Sequence, residues 1–192
     1  MEVKSNNLGL KTVLDLFCGL GGWSEPFVRA GYDVTGYDVV DFSDTYPGRF
    51  VHADLLQYND FPCDVYLIVA SPPCTEFTRA SLPPSWKCNI RRPPDVESGI
   101  RLFRRAEEII RGVKPRYWII ENVVGAQRYV GRANYHVGSR FFWTNIPFFY
   151  DGDYVDVWGK WKIGPSAIRP ALRSKIPRSI ADALLRYLER SE

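Results

Sequence analysis

The residues of this chain that can do chemistry each follow a short apolar run. Cys74 comes directly after Pro72 and Pro73 in SPPCTEF, just past DVYLIVA. The two prolines fix φ and remove two backbone donors, which projects the thiol past the strand into a loop where it is partly exposed and able to react. An arbitrary cysteine is more often core packing, so it is the position that favours a nucleophile here. Glu121 closes the run WIIE. A carboxyl there is expensive to bury unless it keeps its proton or finds a partner.

A second group lies nearer the amino terminus. In DLFCGLGG, residues 15–22, the glycines Gly19, Gly21 and Gly22 allow a tight turn and a close backbone approach to a ligand, with free N–H groups at the start of the next helix. Asp38 ends the next apolar run nineteen residues after Gly19, near the offset of about 20 at which a carboxylate accepts from ribose hydroxyls. Asp54 is placed to accept from an adenine amino group, and Phe17, Val39 and Leu55 can form an apolar slot for the ring. Taken singly, these residues are as well explained by core and turn roles; together they describe an adenosine site. With no Lys-Ser/Thr pair after the glycines, S-adenosylmethionine fits better than ATP.

These residues need a scaffold that brings strand ends together. KTVLDLF, YDVTGYD, RFVHADL and CDVYLIVAS alternate with turn clusters and read as strands, as do RYWIIEN and SRFFWTN later on. The expected strands are 12–17, 33–38, 50–53, 64–70, 116–121 and 140–144. Between the first two, Ser24 is expected to cap a short helix and Gly31 to end it. Apolar positions at Ile100, Phe103, Ala106, Ile109 and Ile110 predict a helix ending at Gly112 and Pro115, and PRSIADALLRYLER predicts a last one. This order predicts a single α/β domain over residues 1–192 with a mostly parallel, doubly wound, Rossmann-like sheet, in which ligands bind at the carboxyl ends of the strands.

Composition narrows the class. A chain of 192 residues with 45% hydrophobic residues is long enough for one real core. Cys18, Cys63, Cys74 and Cys88 match no zinc spacing, so no metal is expected. With no signal peptide and no apolar run of about 18 residues, no membrane association is expected, and the thiols are expected to be free in a reducing, cytoplasmic setting. The net charge of +3 is unevenly spread: residues 79–116 hold ten Lys/Arg against four Asp/Glu, and residues 160–190 hold eight against two. Both segments can face phosphates or simply solvate helix faces.

Four motifs in order resemble the DNA cytosine-5 methyltransferase family: DLFCGLGGW its cofactor loop, SPPCTEF its nucleophile motif, ENV (121–123) its base-binding motif, and HVGSRFF (136–142) a reduced arginine motif. The segment from Ser174 is similar to the part that packs back on the cofactor loop. The resemblance implies methyl transfer from S-adenosylmethionine to carbon 5 of a cytosine flipped out of DNA, with Cys74 as nucleophile, Glu121 engaging N3 and the amino group of the base, and Arg140 orienting it. It puts cofactor contacts on Phe17, Gly19, Gly22, Trp23, Asp38, Asp54, Leu55 and Pro73, and Val39 stands where an aromatic often stacks on adenine.

The chain departs from the family pattern in three further ways. The interval between SRFFWTN and the last helix is too short for a separate target-recognition domain, Gly138 replaces the first arginine, and Arg173-Ser174 stands where Gly-Asn is common. Recognition is therefore expected to be short or relaxed, or to come from the loop of residues 75–96 or from a partner chain. Two alternatives stay open: a cytosine methyltransferase acting on tRNA, and a cofactor-binding subunit that needs a DNA-reading partner.

Overall fold

The computed structural model describes residues 10–82, 93–147, 149–150, 152 and 175–191. Its frame is a seven-stranded sheet in the order β3-β2-β1-β4-β5-β7-β6. The strands are β1 (Thr12–Leu16), β2 (Asp33–Asp38), β3 (Arg49–His52), β4 (Val65–Ala70), β5 (Tyr117–Val123), β6 (Tyr135–Val137) and β7 (Arg140–Thr144). β3, β2, β1, β4 and β5 run parallel, whereas β7 pairs antiparallel with both β5 and β6. The chain leaves β1 in one direction for β2 and returns to its other side as β4, so the order reverses at β1. Next to that switch point a crevice opens in a doubly wound sheet.

The sheet buries both faces, which is why its central strands read as continuous apolar runs. β4 is buried at every position. Alternate residues serve opposite layers: Val13, Leu67, Val69 and Ile119 pack with Trp23, Phe27, Ile180, Leu184 and Leu188. Leu14, Leu16, Ile68, Ala70 and Ile120 pack with Phe77, Phe103, Ala106 and Ile109. The first layer is built by α1 (Ser24–Arg29) and the last helix, and the second by α2 (Thr75–Ala80) and α3 (Val96–Val113); α4 (Gln127–Val130) and α5 (Arg178–Arg190) complete the helices among the described residues.

The predicted strands are all present, two of them with the expected bounds and the others with ends moved by one or two residues. β6, α2 and α4 were not expected; at three to six residues each they are too short for periodicity to register. Two helix-end assignments are corrected. Ser24 lies inside α1, whose cap position is Trp23, and Ser24 turns its hydroxyl to Asp15. α3 runs through Gly112 to Val113 and is ended by Lys114 in the left-handed region at φ 55°, while Asp95 caps its start by accepting from Ser98 N. Gly31 does end α1: at φ 84° it donates to Val28 O, and Tyr32 donates to Phe27 O, the paired bonds of a Schellman stop. Among the described residues no helix is long and apolar enough to cross a membrane.

Candidate active site

Register brings the chemistry to one edge. Leu16 lies beside Tyr37 and Ala70, and Ala70 beside Ile120, so Phe17, Asp38, Ser71 and Glu121 emerge in a row. Because β7 runs against β5, its first residue reaches the same edge, and Arg140 pairs with Val123. A two-residue hairpin places it there. Gly138 takes φ 56° at the first loop position, a geometry that an arginine would adopt only with strain.

Glu121 and Arg140 form a buried ion pair, with Arg140 Nη1 donating to Glu121 Oε1 at 3.0 Å and side chains only 9% and 10% exposed. Arg140 Nη2 donates to the Lys175 carbonyl at 3.2 Å, and its Nε is buried with no partner among the described residues. Burial pushes the Glu121 carboxyl above its ordinary range, opposed by Arg140 and by a hydrogen bond with Ser71. Ser71 in turn accepts from Trp23 Nε1 at 3.0 Å, which links the glycine loop to the acid.

Cys74 sits where the loop after β4 enters α2, with its carbonyl accepting from Thr78 N at 3.0 Å. Burial raises the thiol above its ordinary value, as does the negative charge of Glu121; the Thr78 hydroxyl and Arg140 act in the opposite sense. Both members of the ion pair are therefore felt at the sulfur. The prolines do not hold this loop alone: Asn122, fully buried on β5, donates through Nδ2 to Pro72 O at 2.9 Å and accepts from Val123 N. Cys18, Cys63 and Cys74 are free thiols, and Cys88 lies outside the described residues.

The glycine loop lines a crevice with Asp15, Phe17, Cys18, Gly19, Leu20, Gly22, Trp23, Ser71, Lys175 and Ile176. Phe17 adopts φ 57°, a left-handed conformation costing a non-glycine residue about 1 kcal/mol, which turns Cys18 N back to Tyr37 O at 3.1 Å. Gly22 is required by a close approach, since a Cβ there would lie 2.6 Å from Ile176 N. Beside a Cβ built at Gly19 there is open space.

Four of the expected cofactor contacts, Phe17, Gly19, Gly22 and Trp23, thus share this crevice. Asp38, Val39, Asp54, Leu55 and Pro73 stand along the same edge outside it. Asp38 accepts from Gly19 N and Val40 N, each at 2.9 Å, and Asp54 accepts from Leu56 N and Gln57 Nε2. Val39 is exposed, with His52 Nε2 donating to its carbonyl, and Pro73 is exposed as well. Leu55 is 3% exposed in the layer against α3, and Arg105 Nε donates to its carbonyl at 2.7 Å.

Sequence reasoning missed Asp15, Tyr46, Asn122 and Lys175. Asp15 is 1% exposed and accepts at Oδ2 from Ser24 at 2.6 Å and from Tyr46 at 3.4 Å, while Oδ1 is buried without a partner among the described residues. Burial lifts its carboxyl to about 8 against the hydroxyls' opposing pull. A charged residue inside TVLDL was the available signal for Asp15. Nothing local marks Tyr46 or Lys175. Arg173, Ser174 and residues 83–92 of the basic loop lie outside the described residues.

The sequence profile of the family described as C-5 cytosine-specific DNA methylase matches residues 11–132. The type II methyltransferase M.AplI of Arthrospira platensis is 31% identical over 118 residues, covering 59% of this chain; the chain spans about a third of that relative's length, 31%. Among solved structures, one assigned as a DNA modification methyltransferase within an E. coli prophage covers 63% of this chain and 35% of its own at 24% identity and TM-score 0.46. The Pyrococcus abyssi tRNA (uracil-54, C5)-methyltransferase, in complex with S-adenosyl-L-homocysteine, covers 61% and 25% at 19% identity and TM-score 0.36.

Proposed function

The chain belongs to the C-5 cytosine-specific DNA methylase family, and on that premise we propose that it transfers a methyl group from S-adenosylmethionine to carbon 5 of cytosine in DNA, with Cys74 as covalent nucleophile. The observation that carries the reading is the buried Glu121–Arg140 pair whose charges act on the Cys74 thiol at one strand edge.

The residues fit the cofactor of this family. The crevice has open space beside Gly19, an orphaned buried polar atom in Asp15 Oδ1, and a basic side chain in Lys175. Beyond it, Asp38 keeps spare lone pairs for hydroxyls, and Val39 and Val40, 63% and 54% exposed, offer apolar surface at the end of β2. When bound, S-adenosylmethionine supplies an electrophilic methyl group on a sulfonium.

The protein's task is to make carbon 5 nucleophilic. The Cys74 thiolate adds to carbon 6 of a cytosine extruded from its stack, forming an S–C bond, while Glu121 delivers a proton to N3 so that charge does not build on the ring. The resulting enamine is nucleophilic at carbon 5. After methylation a base removes the carbon 5 proton, the S–C bond breaks with return of its electrons to sulfur, and N3 gives its proton back to Glu121. Burial moves the Glu121 carboxyl upward, the direction that favours a proton donor. Arg140 keeps the carboxyl aimed at the crevice edge, and its unpartnered Nε is a donor ready for a base carbonyl.

The direct test is incorporation of labelled methyl groups from S-adenosylmethionine into cytosine-containing duplex DNA, with tRNA assayed in parallel. Cys74→Ala should abolish transfer and leave cofactor binding intact. Transfer undiminished in that variant removes Cys74 from the mechanism, and label entering tRNA alone moves the reaction to RNA.

A further inference from the structure

Two polar side chains beside the acid have no part in the methyl-transfer steps above. Ser71 follows Ala70, which pairs with Ile120, so it stands next to Glu121 at the strand edge, and its own N–H is tied to Leu16 O at 3.1 Å. Its hydroxyl accepts from Trp23 Nε1 at 3.0 Å and hydrogen-bonds with Glu121. The indole is 2% exposed, and it meets Phe142, the residue directly opposite Glu121 on β7, edge to face with ring centroids 6.2 Å apart. An indole N–H can only donate and a carboxylate can only accept, so a hydroxyl held between them points its single proton at the carboxylate. Accepting from the indole also strengthens that donation.

Resting on the reading of Glu121 as the acid, we propose that Ser71 is a positioning residue turned toward Glu121 by Trp23, and that its hydroxyl shares with Arg140 the negative charge left when the proton goes to the base. Two demands fall on this acid. Burial favours the protonated form before transfer, but afterwards a buried carboxylate short of donors is costly and draws the proton back. Arg140 donates from β7 on one flank of β5, and Ser71 answers from the end of β4 on the other. Packing alone needs only a ring at Trp23; the relay needs its N–H.

The titration of Glu121 is read without turnover from carbon-13 spectra of ligand-free chains labelled at the glutamate carboxyl, its signal being the one missing in Glu121→Gln. Arg140 and Cys74, the charged and titratable groups that face Glu121 among the described residues, stay in place in every other variant. Ser71→Ala takes a donor from the carboxylate and should move the midpoint upward by about half a pH unit or more, the order expected for one hydrogen bond. Trp23→Phe should move it the same way by less, and should add nothing in the Ser71→Ala background. Ser71→Thr, which keeps the hydroxyl, should restore the wild-type midpoint. An unmoved midpoint in Ser71→Ala, or a Trp23→Phe shift that persists without the Ser71 hydroxyl, overturns the proposal. Failure of the underlying reading shows separately: a wild-type chain that moves no methyl group to cytosine removes the role in transfer even with these shifts present. Melting curves matched to the wild type exclude unfolding, and if Trp23→Phe is unfolded, Ser71→Ala and Ser71→Thr decide alone.

Discussion

Replacing Asp15 by asparagine should flatten the pH dependence of the protein's stability. In the folded chain Asp15 holds its proton up to pH about 8, whereas in the unfolded chain it releases it near its ordinary value of 3.8. Between those limits the folded state binds more protons, so stability that is fully present below pH 4 is lost progressively as pH rises to 8. At about 1.4 kcal/mol for each pH unit, the full span amounts to roughly 6 kcal/mol. Asparagine is close in shape to the protonated acid: one terminal atom can still accept from Ser24 and Tyr46, and the amide nitrogen takes the place of the protonated oxygen. The assay is urea unfolding of both proteins, without ligand, from pH 5 to 8.5. Glu121 titrates in the same direction in both, so it cancels in the difference. The wild type should lose at least about 2 kcal/mol relative to Asp15→Asn across this range. Parallel curves would refute the reasoning, because they would mean that the folded protein carries Asp15 ionised at no cost.

Glu121→Gln removes a negative charge from beside Cys74, so alkylation of that thiol by iodoacetamide, followed by mass spectrometry of its peptide, should shift to lower pH by about half a unit or more; an upward shift would contradict the placement of the pair. Gly22→Ala drives a methyl group into Ile176 N and the Lys175 stem, and should cost about 2 kcal/mol in urea unfolding together with a loss of S-adenosylhomocysteine affinity by calorimetry.

Much of this architecture was legible because its strands are buried on both faces. Runs such as VYLIVA have few other readings, and the polar residue ending each run marks the crevice edge without knowledge of strand order. Glu121 and Cys74 were found in that way. What the sequence concealed are contacts across long separations. Tyr46 reaches Asp15 over 31 residues, Asn122 reaches Pro72 over 50, and the Lys175 ammonium reaches Glu25 over 150. Each depends on how layers stack, which no local pattern encodes. Leu55 is a further case: its position after a strand suggested a ring slot, and its burial against α3 depends on the same stacking of layers.

The bond from Asn122 to Pro72 has a mechanical meaning. It ties the loop of the proposed nucleophile to the strand that carries the proposed proton donor, so Cys74 takes its position from β5 as well as from its own helix. The two groups proposed to act on one six-membered ring, at carbon 6 and at N3, are thereby surveyed from a common benchmark. A displacement of α2 or of the residues after it strains that tether before it changes the spacing between sulfur and carboxyl. The spacing of the proposed reacting groups is guarded by an amide whose own bonds go to the backbone at Pro72 and Val123.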